Sequence, residues 1–283
     1  MLRATALLVF VLLLAGCGST TTGQQATAPA ATSTPTSALS GRLTFAGSTT
    51  MQPLVEKLAE QYRQHNPAVE LEIAAGGSVV GINAVQDGSV DIGMASRPVK
   101  DSEIKPGMRL FPVAYDALAI IVHPNNPVRS LTFEQLRAIY QGTITNWREL
   151  GGPDTPIRPV VREVSSGTRG AFDDLVLDGE DPAIPSTSEV TAGEVEKTVA
   201  NDPHAIGYVG FGNVRPDIAT LAIDGAEPSP ATVQSGSYKL RRPLTLLTGS
   251  LSRPLAQSFV EFALSPEGQQ LVAEDGWVPI GTK

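Results

Sequence analysis

Apolar positions along this chain follow two alternating periods. Short runs that are apolar throughout or alternate with period two predict strands at Arg42–Phe45, Val69–Ala74, Asp91–Met94, Leu118–His123, Ile157–Val161, Ala205–Phe211 and Leu240–Leu247. Between them the period lengthens to 3.6. From Gln52 to His65, Leu54, Val55, Leu58, Ala59 and Tyr62 fall on one helical face, and Pro67 ends the segment. Further helices are predicted at Val80–Gln86, Thr132–Tyr140, Gly170–Leu177 and Leu255–Glu274. Strand–helix units repeated in this way indicate an α/β sheet with helices packed on it. Residues 41–283 suffice for one large domain or for two lobes of ordinary size.

The first forty residues obey neither period. Arg3 precedes an apolar run from Ala4 to Ala15, the length of a signal-peptide core and short of the ~20 residues that span a bilayer. The run ends in Leu14-Ala15-Gly16-Cys17, which resembles the bacterial lipobox. That resemblance implies a signal peptide over residues 1–16 and lipidation of Cys17, with stable membrane anchoring once two or more acyl chains are attached. Cys17 is the one cysteine, so an intrachain disulfide and a cysteine-rich zinc site are both excluded. Residues 18–40 carry no charge and consist almost wholly of Thr, Ser, Ala, Gly, Gln and Pro, a composition that predicts a flexible tether.

Charge narrows the partners. The chain has a formal net charge of −8 and no basic block, which argues against nucleic acid. An anionic ligand therefore needs a locally positive site. Three turns supply the elements of one: Gly47-Ser48-Thr49-Thr50, Gly76-Gly77-Ser78 and Ser165-Ser166-Gly167-Thr168 each run into a predicted helix. A helix start leaves backbone N–H groups unpaired at the positive end of the macrodipole, hydroxyls add donors, and glycine allows close approach. Each turn alone also reads as an ordinary N-cap. Arg162, four residues before Ser166, adds a planar fork of donors suited to a tetrahedral oxyanion. His65, His123 and His204 are too scattered to pair as metal ligands, and no phosphate loop of the nucleotide-binding kind or Gly-x-Ser-x-Gly elbow is present. No cofactor is expected.

The stretches AGSTTMQPLVEKLAEQY, AAGGSVVGINAVQDGSVDIGMASR, VREVSSGTRGAF, AIGYVGF and FVEFALSPEGQQLVAEDGWVPI resemble the phosphate-binding proteins of bacterial phosphate uptake transporters, from Leu43 to Ile280. The resemblance implies a two-lobed periplasmic-binding-protein-like fold of type II. One lobe would comprise residues 41–117 and 241–283, the other residues 118–240, with the long strand patterns Pro112–His123 and Tyr238–Leu247 crossing between them as a hinge. It implies inorganic phosphate held between the lobes by Ser48, Thr49, Thr50, Ser78, Arg162, Ser166, Gly167 and Thr168. It also implies Asp91 as acceptor for a proton on the phosphate, a means of rejecting sulfate; the alternative for Asp91 is an ion pair with Arg97. Arg97 itself either joins the site or neutralises Asp91, and Glu163 tempers the charge of Arg162.

The implied partners are phosphate and the membrane permease of an ABC transporter, with the protein a monomer on the outer face of the cytoplasmic membrane. Two other readings compete. One is the same scaffold with sulfate, tungstate or molybdate; the other is a phosphatase or hydrolase with Ser166 as nucleophile, for which no histidine base can be placed.

Overall fold

The computed structural model describes residues 39–281; the expected signal peptide, Cys17 and most of the tether lie outside the described residues. The first part of the chain runs β1 (Gly41–Gly47), α1 (Gln52–His65), β2 (Val69–Ala75), α2 (Ser78–Asp87), β3 (Ile92–Ala95) and the long β4 (Arg109–Val122). The middle adds β5 (Ser130–Leu131), α3 (Phe133–Tyr140), β6 (Arg158–Arg162), α4 (Gly167–Val176), β7 (Thr187–Glu189), α5 (Ala192–Asn201), β8 (Ala205–Gly210), β9 (Ala219–Thr220), β10 (Ala222–Ile223) and α6 (Pro230–Ser235). The chain closes with β11 (Arg241–Thr248), α7 (Pro254–Leu264), α8 (Pro266–Glu274) and β12 (Val278–Pro279).

These elements build the mixed α/β fold that the alternating periods predict. The main sheet has the order β2-β1-β3-β11-β4-β8-β6-β7. Its outer strands are parallel, β1 to β2 and β3 on one side, and β6 to β7 and β8 on the other. The two central strands β4 and β11 run antiparallel to each other and to their outer neighbours β8 and β3. β4 pairs with β11 through its first half and with β8 through Leu118–Val122, so one continuous strand serves both sides. The register of β4 on β11 shifts between Leu244 and Thr245, which face Ala114 and Pro112, so the extra residue, Val113, lies on β4 beside a proline with no N–H for the ladder.

Two large cores divide along β4. Val113 and Ala114 pack with Leu43, Phe45, Leu58, Leu246 and Phe259 in one, and Ala117, Leu118 and Ile120 pack with Leu136, Phe172 and Tyr208 in the other. The second core is centred on an aromatic stack, with the rings of Phe172 and Tyr208 4.0 Å apart and nearly parallel. Trp147 and Trp277 are both buried, one in each core.

Several boundaries differ from the pattern reading, each for a local reason. The last helix is two, because Pro266 has no N–H to continue α7; Ser265 caps the new start by accepting from Gly268 N. Helix α4 begins at Gly167, three residues before the predicted start, because the Ser166 hydroxyl accepts from the N–H groups of Thr168 and Arg169. Helix α5 was not predicted, although Thr191 and Glu194 form a capping box there.

Candidate anion site

The parallel strands set the place of the site. β1, β2 and β6 run directly into the turns that start α1, α2 and α4, and contacts between those turns from the two sides bring the three helix N-termini to one crevice. Glycine is obligatory at two of the turns. Gly47 has φ +138°, and a Cβ there would lie 2.3 Å from Met94 O; Gly77 has φ +89°, and its Cβ would lie 2.5 Å from Ser165 Oγ.

Eight of the nine expected ligand residues meet in this crevice. Ser48, Thr50, Ser78, Arg162, Ser166 and Thr168 are all buried, none more than 2 % exposed. The two sides touch directly. Thr50 Oγ1 lies 2.9 Å from Thr168 Oγ1, Arg162 Nη2 donates to Thr49 Oγ1 at 3.2 Å, and Val79 N donates to Ser165 O at 3.1 Å. Gly167 presses so closely on Ser78 that a Cβ would sit 2.0 Å from its Oγ. Among the described residues, the backbone amides of Thr49, Thr50, Ser78 and Gly167 have no backbone acceptor.

Arg162 sets the electrostatics. Its Nε donates to Glu189 O and its Nη2 to Val190 O and Thr49 Oγ1, all neutral acceptors. Among the described residues no carboxylate lies within ion-pair distance of its guanidinium. Burial pulls its pKa down to about 10. A cation this buried and without a counter-charge is costly to the fold and favours an anion beside it. Glu163 does not temper it through an ion pair; its carboxylate instead accepts from Ser165 Oγ.

Asp91 is not at the site, and the expectation is corrected. It precedes β3 at the end of the strand opposite Ser96, beside Thr44. At ~3.3 Å per residue, the four residues of β3 carry it on the order of 13 Å from the crevice. Its carboxylate accepts from Thr44 N and Oγ1 and forms an ion pair with Arg253. Burial works to raise its pKa, but hydrogen bonds from Arg253 and Thr44 outweigh it and hold the carboxyl below the usual range. The alternative pairing with Arg97 is absent as well, since Arg97 is bound by both nitrogens to Glu103 at 2.7 and 2.6 Å.

Three residues of the crevice escaped the sequence reading. Ser96 N donates to Ser78 Oγ, and its hydroxyl accepts from Ser48 Oγ at 2.8 Å. Asp116 and Arg242, both fully buried, pair across β4 and β11. Burial pushes Asp116 up to about 6, against the pull of Arg242. The available signal was a lone acid inside the apolar run Val113–Val122.

Comparison with known proteins agrees with this architecture. A model described as a PBP superfamily domain matches residues 24–267. The phosphate-binding protein PstS of Bacillus subtilis is 33 % identical over 275 residues, 96 % of this chain and 91 % of that protein. The protein of the same name from Borreliella burgdorferi is 31 % identical over 85 % of this chain and 90 % of its own length. Among solved structures, a phosphate ABC transporter substrate-binding protein of Clostridium perfringens with bound phosphate superimposes with a TM-score of 0.82 at 37 % identity, covering 85 % of this chain and all of that one. A phosphate transport receptor of Vibrio cholerae gives 0.71 at 32 %, covering 85 % of this chain and all of its own. With a matching domain model over most of its length and relatives above 30 % identity over 85 % or more of the chain, it belongs to the PBP superfamily and, within it, to the PstS family of phosphate-binding proteins.

Proposed function

We propose that this protein captures inorganic phosphate in the crevice between its two halves and delivers it to an ABC importer. The observation that carries the reading is Arg162, a buried guanidinium whose protein partners are all neutral, set among the N-termini of three helices. Thr49 and Thr50 would donate from one side with Ser48 beside them, Ser78 from the second turn, and Ser166, Gly167 and Thr168 from the start of α4. The names of its relatives point to the same ligand.

The two cores support lobes of residues 41–117 with 241–283, and of residues 118–240, moving about β4 and β11. Ligand-driven closure is then a shift between arrangements, because Arg162 and Ser166 reach the anion together with Thr49 and Ser78 only when the lobes meet. The protein acts as a binding protein and not as an enzyme: the Ser166 hydroxyl serves as acceptor for two amides at the start of α4. The lipobox-like Leu14-Ala15-Gly16-Cys17 supports a lipid-anchored monomer on the outer face of the cytoplasmic membrane, docking to the permease from there.

Calorimetric titration with phosphate and with sulfate, after unfolding and refolding to strip carried-over anion, tests the ligand. Phosphate heat with no sulfate heat supports the reading; binding of sulfate, molybdate or tungstate in place of phosphate removes it. Fractionation of cells carrying Cys17→Ala tests the anchor, which predicts that the variant leaves the membrane fraction.

A further inference from the structure

Asp116 and Arg242 stand directly opposite each other on β4 and β11, the two strands shared by both halves. Neither side chain is exposed to solvent. Arg242 Nε and Nη2 donate to Asp116 Oδ2 at 3.0 and 2.8 Å, and Asp116 Oδ1 accepts from Phe211 N at 2.9 Å. A buried ion pair of this kind contributes little net stability, because desolvation offsets its attraction. Its outward contacts are more informative. Arg242 Nη1 donates to Ser96 O at 3.0 Å on one side of the crevice and to Thr168 Oγ1 at 2.8 Å on the other.

The second contact commits one lone pair of Thr168 Oγ1 to the cation. A guanidinium has only donors, so Thr168 Oγ1 must accept from it. Thr168 Oγ1 also lies 2.9 Å from Thr50 Oγ1, and each hydroxyl has one proton. If Thr168 donates to Thr50, the Thr50 proton is left over; if Thr50 donates to Thr168, the Thr168 proton is. Either way one hydroxyl proton remains for the crevice, at the end of a chain that starts on a cation. Without Arg242 a lone pair of Thr168 Oγ1 is released and can turn towards an anion. Asp116 cancels the charge of Arg242, so the lone pair is held without adding a second net positive charge beside Arg162.

We infer that Asp116 and Arg242 are positioning residues for anion capture, which hold the Thr168–Thr50 hydroxyl pair as a donor and tie that order to the strands that join the two lobes. The inference rests on the phosphate reading above and extends it to two residues that do not touch the ligand.

A double-mutant cycle tests it, with phosphate affinity measured by calorimetry on the wild type, Arg242→Gln, Thr168→Val and the double variant, and with the ligand-free melting point of each. Each single change is expected to weaken binding by about 10–100-fold, the range for one charge-assisted hydrogen bond. The double variant is expected to be no weaker than the worse single, because the same relay is lost once. Thr168→Ser, which keeps the hydroxyl, is expected to bind phosphate more tightly than Thr168→Val. Losses that multiply in the double variant would show that Arg242 acts through the fold and not through Thr168, and would overturn the inference. A Thr168→Val variant with wild-type affinity overturns it without reference to Arg242. Should Arg242→Gln fail to fold, the pair Asp116→Asn with Arg242→Met takes its place, since it removes both buried charges together. A wild type that binds no phosphate sinks the functional reading itself, a different outcome from additive losses in variants of a wild type that does.

Discussion

Arg162 and Thr49, 113 residues apart in the chain, meet across the crevice, with Nη2 donating to Thr49 Oγ1 at 3.2 Å. The contact joins the end of β6 to the turn after β1, so the one buried guanidinium among the described residues without a carboxylate partner also touches the opposite half. Replacing it by Met removes the counter-charge for the anion while nearly keeping its volume. Arg162→Met is expected to weaken phosphate binding by at least about 100-fold, as for loss of one partner of a buried charge pair. Its ligand-free melting point is expected to change little, because the cost of desolvating the cation disappears with it. Calorimetry and thermal melts on the same preparation check both halves of the prediction.

Asp91→Asn is expected to leave phosphate affinity, and the preference for phosphate over sulfate, within about twofold of the wild type. Asp91 lies at the far end of β3 and is occupied by Arg253 and Thr44. What the variant loses is a partly exposed ion pair, worth up to about 1 kcal/mol. The sign with pH follows from the direction of the shift. A carboxyl held below its unfolded value contributes stability that is full above about pH 4 and lost as the pH falls through the lower folded value. Denaturant melts are therefore expected to separate the variant from the wild type at pH 7 and to bring them together in strong acid. A sulfate-binding Asp91→Asn would return this residue to the site.

The error over Asp91 shows where a sequence is readable and where it is not. Turns that combine Gly with Ser or Thr before a helix were legible because the requirement is local: Gly47 and Gly77 need positive φ, and Ser166 caps the helix that follows it. The strand–helix alternation was legible for the same reason. Asp91 and Ser96 are close in sequence, but a strand between them places them at opposite ends of the sheet, and the site lies at only one end. The Asp116–Arg242 pair fails in the other direction. The acid inside an apolar strand was visible, but its partner 126 residues away was not, since no local pattern ties β4 to β11. Helix α5 was readable and overlooked, for Thr191 and Glu194 have the spacing of a capping box.

Gly167→Ala tests whether the two halves must come together. The added methyl has no room between α4 and Ser78, whose Oγ would lie 2.0 Å away, while Ser96 Oγ would lie 2.9 Å away. Both serines belong to the half opposite α4, and alanine at the first helical position is otherwise acceptable. The variant is expected to fold with an unchanged ligand-free melting point and to lose most of the rise in melting point that phosphate gives the wild type. A variant that melts early without ligand would place the damage in the fold of α4 and not in the approach of the two halves.

Glu196 makes the dependence of stability on pH testable at one residue. It sits on α5 and is only 4 % exposed, and its nearest cation, Arg215, is 3.6 Å away. Burial pushes its pKa to about 7, with Arg215 pulling it down and Asp217 pushing it up. Between about pH 4.5 and 7 the folded protein holds a proton that the unfolded chain has released, so stability must fall as pH rises through that window. Asp173, pushed by burial to about 6, adds to the same slope. Glu196→Gln keeps the shape of the protonated form and cannot ionise. It is expected to match the wild type near pH 4.5 and to exceed it by on the order of 1–3 kcal/mol at pH 8. Denaturant unfolding at both pH values decides the matter: a gap that does not widen with pH would mean that Glu196 ionises in the folded state as readily as in the unfolded chain, with Arg215 compensating fully for its burial.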